Sequence, residues 1–145
     1  FNVRFGDPET QVLTLVTDGD FAEALLAAAQ GQLRDGLLQV SNDHALCVVI
    51  AAPGYPEQPT TGQEITGLAR AEARPGVRVF HAGTRLVEGR VQVSGGRVLG
   101  VAARGKTLAE ARDRAYAAVS DIHFEGAQFR EDIGHRALSP NRDPS

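Results

Sequence analysis

The chain has 145 residues and a net charge of −3 from 15 basic and 18 acidic side chains mixed along its length, which excludes a basic nucleic-acid face and a polybasic membrane anchor. No apolar run approaches the roughly 18 residues of a membrane span, and a single cysteine, Cys47 in the run ALCVVIAA, excludes an internal disulfide framework. What remains is a chain long enough to bury a core, suited to small-molecule work and expected in a reducing, cytoplasmic setting.

The opening segment FNVRFGDPETQ is the densest in chemistry, with Asn2, Arg4, Asp7, Glu9 and Gln11. In an extended strand Asn2 and Arg4 share a face, placing an oxygen ligand for Mg²⁺ beside a cation for phosphate or carboxylate. Gly6-Asp7-Pro8 then turns the chain, and the same letters also read as an ordinary polar strand end with an Asp-Pro turn. The absence of methionine and this ordered-looking start suggest the C-terminal piece of something longer.

The next run, VLTLVT, leans toward a short β-strand. DGDFAEALLAAAQGQL then predicts a helix: Asp20 and Glu23 have capping-box spacing, and Phe21, Leu25, Ala28 or Ala29, and Leu33 form one apolar stripe. Near residue 36 the composition turns β-rich. LLQVSNDHALCVVIAAPGY reads as strands stopped by Pro53-Gly54, and VRVFHAG as another strand, with loops between them apart from EITGL. TRLVEGRVQVSGGRVLGVAARG alternates around two turn signals, Glu88-Gly89 and Ser94-Gly95-Gly96, and predicts a hairpin or meander with valines 91, 93, 98 and 101 on packed faces. A second amphipathic helix begins at Thr107, where Thr107 and Glu110 repeat the capping-box spacing ahead of Leu108, Ala111, Ala115, Ala118 or Val119, and Ile122. HFEGAQFREDIGHRAL reads as a strap packing Phe124 and Phe129 on the core, and ALSPNRDPS as a fraying tail.

GVAARGKT, Gly100 to Thr107, satisfies the spacing of a nucleotide-binding P-loop between a strand and a helix. Its interior argues against that reading. Val101-Ala102-Ala103 continues the alternating strand, leaving no compact loop to wrap phosphates, and Thr107 is already a helix cap. The four histidines, His44, His81, His123 and His135, form no zinc spacing with one another or with Cys47. His81 stands at a strand end, as a ligand contact or a structural hydrogen-bonding group. No Ser/Cys–His–Asp order suggests a nucleophilic triad.

Five collinear blocks, FNVRFGDPETQ, CVVIAAPGYP, VFHAGT, GGRVLGV and ARDRAYAAVSDIHFEGAQFREDIGHRAL, together with the order they keep, resemble the C-terminal part of the phosphoribosylamine–glycine ligase family of the ATP-grasp superfamily. The resemblance implies an α+β chain. Residues 1–35 would be the last strand and helix of an ATP-grasp domain, and residues 36–138 a small β-rich domain with an antiparallel meander and one long amphipathic helix, followed by a disordered tail over 139–145. It implies a parent enzyme, a cytoplasmic monomer, that uses ATP with Mg²⁺ or Mn²⁺ to join glycine to 5-phosphoribosylamine in purine biosynthesis. Asn2 matches the metal-holding Asn of the family's E-F-N triplet, whose Glu would lie immediately before Phe1. Arg4 is then the catalytic candidate, meeting an anionic substrate or phosphate, with Asp7 and Glu9 placing the glycine amine. Because the nucleotide-binding parts fall outside these residues, the chain alone is expected to be inactive. The competing expectation is a free-standing, non-catalytic binding module of the same fold.

Overall fold

The computed structural model of the chain describes residues 4–139. Its centre is an antiparallel sheet of β3 (His44–Ala51), β7 (Arg97–Gly105) and β4 (Val77–His81), with β7 in the middle. Val101 of β7 stands opposite Val48 on one side and Val79 on the other. Strand alternation gives the sheet two apolar faces. Leu46, Val48, Ile50, Val77, Val79, Leu99, Val101 and Ala103 belong to the main core. That core is covered by α4 (Leu108–Val119) through Ala111, Ala115, Ala118 and Val119. Three alanines at helical spacing let α4 come close to the sheet.

On the other face, Cys47 and Ala102 form a smaller cluster with Leu15, Val12, Ala45 and Phe80. Leu15 and Val12 come from α1 (Glu9–Val16), which overturns the β-leaning expectation for VLTLVT. Val12 and Leu15 are three apart, so a helix brings both to the sheet, and that packing overrides local propensity.

Helix α2 (Phe21–Ala29) is capped as its letters predict, the Asp20 carboxylate accepting from the amides of Ala22 and Glu23 at 2.8 and 3.0 Å. Its apolar stripe is not covered. Leu25 is 48% exposed, Ala24 is the residue of α2 that is buried, and Leu33, predicted to continue the stripe, lies beyond the helix end and is 67% exposed. The neighbours here are Phe5, edge-on to Phe21 at 6.4 Å, and a two-stranded pair of β1 (Thr17–Gly19) with β2 (Leu38–Val40). A short helix, α3 (Leu68–Glu72), lies where the sequence reads as loop; five residues are too few to show a period.

The predicted meander reduces to one hairpin, β5 (Thr84–Val87) with β6 (Arg90–Val93). β7 passes instead between β3 and β4 because it is apolar on both faces and belongs inside a sheet. In the hairpin, Glu88 and Gly89 hold φ of 49° and 79°, the two positive angles of a type I′ turn. Asparagine tolerates that region better than glutamate, so Glu88→Asn should raise stability by about 0.5 kcal/mol in urea unfolding; a loss would show the turn to be of another type.

At α4 the Thr107 hydroxyl accepts from the Glu110 amide at 3.2 Å, while the Glu110 carboxylate accepts from Lys106 N at 2.6 Å, one residue earlier than a capping box requires. The strap after α4 buries Phe124 and leaves Phe129 partly exposed against Tyr116, ring centroids 6.5 Å apart. Tyr116 Oη donates to the Arg130 carbonyl at 2.6 Å and accepts from Ile133 N at 3.1 Å, tying the strap, which ends in α5 (His135–Leu138), to α4. Among the described residues no helix is long and apolar enough to cross a membrane. Asn2 and the expected tail after residue 139 lie outside the described residues.

Candidate functional site

The Gly6-Asp7-Pro8 turn starts α1, and the Gly6 carbonyl accepts from both the amide and the hydroxyl of Thr10, at 3.1 and 2.6 Å. The turn is fixed at Asp7. Gln11 Nε2 donates to Asp7 Oδ1 at 2.7 Å, Arg97 Nη1 donates to the Asp7 carbonyl at 3.1 Å, and Arg97 Nε lies 3.6 Å from Asp7 Oδ2.

The candidate residues on either side of Asp7 share one cleft. Arg4, Phe5, Gly6, Pro8 and Glu9 line a space of about 970 Å³ together with Val12, Leu13, Leu46, Cys47 and Ile133. Arg4 and Glu9 are exposed, and the Glu9 carboxylate folds back so closely over Gly6 that a side chain at position 6 would strike it. The cleft thus offers one cation and one carboxylate over an apolar floor, an arrangement that suits a small ligand carrying both charges or a reacting carboxylate. Asp7 is not among its lining residues, because its carboxylate is turned toward Gln11 and Arg97. Cys47, on the floor, is no nucleophile: burial, aided by the charge of Asp7, pushes its thiol up to about 12.

The remaining sequence candidates have structural partners. Gly100 to Gly105 is strand, and Lys106 Nζ contacts Asp43 Oδ1 at 2.9 Å instead of projecting from a phosphate-wrapping loop. The Lys106 ammonium and the Arg104 guanidinium, 2.7 Å from Asp43 Oδ2, hold the Asp43 carboxyl below its ordinary range. His81 Nδ1 pairs with the Thr84 hydroxyl at 2.9 Å. Among the described residues no group of three His, Cys, Asp or Glu side chains could hold a metal ion. Sequence reading missed Arg97, because no local spacing links it to a turn 90 residues away.

Residues 45–136, from β3 to α5, match the family described as phosphoribosylglycinamide synthetase, C domain. The chain belongs to this family. Phosphoribosylamine–glycine ligases resemble it beyond the C domain: the chloroplastic protein of Arabidopsis thaliana is 55% identical over 95% of this chain and 26% of its own length. That of Synechocystis is 50% identical over 95% of this chain and 33% of its own. A crystal structure of the Thermotoga maritima ligase superposes with a TM-score of 0.76 at 37% identity, over 90% of this chain and 32% of that one. The C-domain family member described here therefore spans about a quarter to a third of the relatives it matches.

Proposed function

We propose that the chain is the C-terminal part of an ATP-dependent ligase that joins glycine to 5-phosphoribosylamine, the activity named by relatives 50–55% identical to it. In this reading residues 1–35 close an ATP-grasp domain and residues 36–138 form the C domain of a monomeric parent. The cytoplasm is the proposed compartment, although the Arabidopsis relative is named as chloroplastic. Glycine's carboxylate would take the terminal phosphoryl group of ATP, releasing ADP. The amine of phosphoribosylamine would then attack the acyl carbon, phosphate would leave, and the nitrogen would lose a proton. Both steps concentrate negative charge where cationic groups act most strongly.

The observation that supports these roles is the shared rim of Arg4 and Glu9. Arg4 would face the carboxylate or the phosphoryl group, and Glu9 would take the glycine ammonium, with Asp7 beside it on the same turn. The family reading brings Mg²⁺ or Mn²⁺ with ATP. Its expected ligand Asn2 lies outside the described residues, and the roles of Arg4, Asp7 and Glu9 rest on their own charges and placement.

The test has two arms. The 145-residue chain, given ATP, glycine and phosphoribosylamine, should release no ADP above background; turnover would sink the claim that it is a non-catalytic part. In the parent ligase, Glu9→Gln should raise the KM for glycine by roughly tenfold, the value of one charged hydrogen bond, and Arg4→Ala should lower kcat by a similar factor or more. Unchanged kinetics in both variants would refute the site.

A further inference from the structure

We infer that Arg97 is a positioning residue: from the start of β7 it holds the Gly6-Asp7-Pro8 turn in the one placement that brings Arg4 and Glu9 to a common cleft. The inference rests on the ligase reading of that cleft.

The first ground is contact. One guanidinium engages both the carbonyl and the carboxylate of Asp7, at 3.1 and 3.6 Å, while Gln11 takes the other carboxylate oxygen at 2.7 Å. Both oxygens and the carbonyl are therefore engaged before any ligand arrives. Arg4 and Glu9 lie within three residues of Asp7 on opposite sides, so the placement of Asp7 sets theirs.

The second ground is the backbone that aims Arg97. Strict alternation along β7 would put Arg97 on the same face as Leu99, in the main core beneath α4. The pairing of β3 with β7 slips at this point: Ile50 stands opposite Leu99, yet Ala51 stands opposite Arg97, leaving Val98 as an extra residue. Val98 and Leu99 both enter the main core, at 0% and 1% exposure. Arg97 is thereby turned to the α1 face, where Asp7 waits. An irregularity that re-aims one side chain is a recurrent device beside functional sites. The backbone here is also pinned from a third direction, since Gly83 N donates to the Arg97 carbonyl at 2.8 Å and a side chain at position 83 would collide with that oxygen.

Arg97 touches no reacting group in this account; it acts through Asp7. Two measurements test this. In the isolated chain, Arg97→Ala should speed exchange of the Thr10 amide, held by the Gly6 carbonyl in the first turn of α1, by tenfold or more while amides of β3 and β7 keep their protection. Unchanged exchange there overturns the inference whatever the chain's activity. In the parent ligase, Arg97→Ala and Asp7→Ala should each lower kcat/KM for glycine, by up to about 100-fold for a displacement of roughly 1 Å. The double variant should be no worse than the poorer single one, and Arg97→Lys, which keeps the charge but loses the forked contact, should recover part of the loss. Full activity in Arg97→Ala beside a crippled Asp7→Ala, or losses that multiply, overturns the role of Arg97 alone. Full activity in Arg4→Ala and Glu9→Gln overturns the ligase site beneath it.

Discussion

Replacing Gly67 by alanine is expected to lower the stability of the chain by about 3 kcal/mol, a shift of roughly 10 °C in Tm for a domain of this size. Gly67 precedes α3 with φ of 82°, a left-handed conformation that an alanine adopts only at a cost of about 1 kcal/mol or more. Space is the larger obstacle. A Cβ at position 67 would run into the Asp121 carbonyl oxygen, with the carbonyl carbon at 2.8 Å, and both belong to backbone that cannot swing aside. That backbone is held from two sides. Thr66 and His123 exchange backbone hydrogen bonds at 2.9 and 3.1 Å, and the buried Asp121 carboxylate bridges Arg70 at 2.9 Å and Arg74 at 2.5 Å. Gly89→Ala separates the two costs. Gly89 has nearly the same φ, 79°, but nothing lies within 4 Å of an added Cβ, so its loss should be about 1 kcal/mol. Equal losses at the two positions, read by urea or thermal unfolding, would remove the steric argument. The latch also weakens in acid. Arg74, and then Arg70, hold the Asp121 carboxyl below its ordinary value of 3.8, so its contribution is complete above that pH and fades as the pH falls through the lower folded value.

The features legible in the sequence are those whose causes lie within a few residues. Thr107 caps α4, and Leu108, Ala111, Ala115 and Val119 mark its covered face, because cap and stripe are both local. Asp20 announced its helix equally well, but the stripe it leads remains largely exposed, since periodicity records which side of a helix is apolar and not whether a neighbour covers it. VLTLVT misled because Val12 and Leu15 pack with Cys47 and Ala102, more than 30 residues on, from one face of a helix, and that packing overrides the β-leaning letters around them. Alternation found β7 without finding its place: a strand apolar on both faces belongs inside a sheet, yet no letter names β3 and β4 as its neighbours. The site divides in the same way. Arg4, Asp7 and Glu9 stand out as charges around one turn, whereas Arg97 enters only through a slip in register that strict alternation cannot foresee.

That slip depends on the core beside it, and Ile50→Ala should show how strongly. Ile50 is 1% exposed and stands opposite Leu99 on the central strand, one residue before the register changes. Its removal leaves a hole in the core that it shares with Val48, Leu99 and the alanines of α4, whose methyl groups are too short to refill it. The expected loss is about 4 kcal/mol, transfer of the lost methyl and methylene groups plus the unrelieved cavity, with a nearly unchanged urea m-value because one side chain is a small part of the surface exposed on unfolding. Leu86→Ala provides the contrast: at 72% exposure on the hairpin it should cost less than about 0.5 kcal/mol. A loss below about 1 kcal/mol for Ile50→Ala would mean that the sheet collapses onto the cavity. Collapse would draw β3 toward α4 at the point where Val98 and Leu99 are both held inside, so Arg97 would lose its aim and the first turn of α1 would lose exchange protection with it. If Ile50→Ala instead destabilises the whole domain while that turn stays as protected as β7, the packing of the sheet and the placement of Asp7 are separate properties, and Arg97 keeps its direction from the Gly83 contact alone.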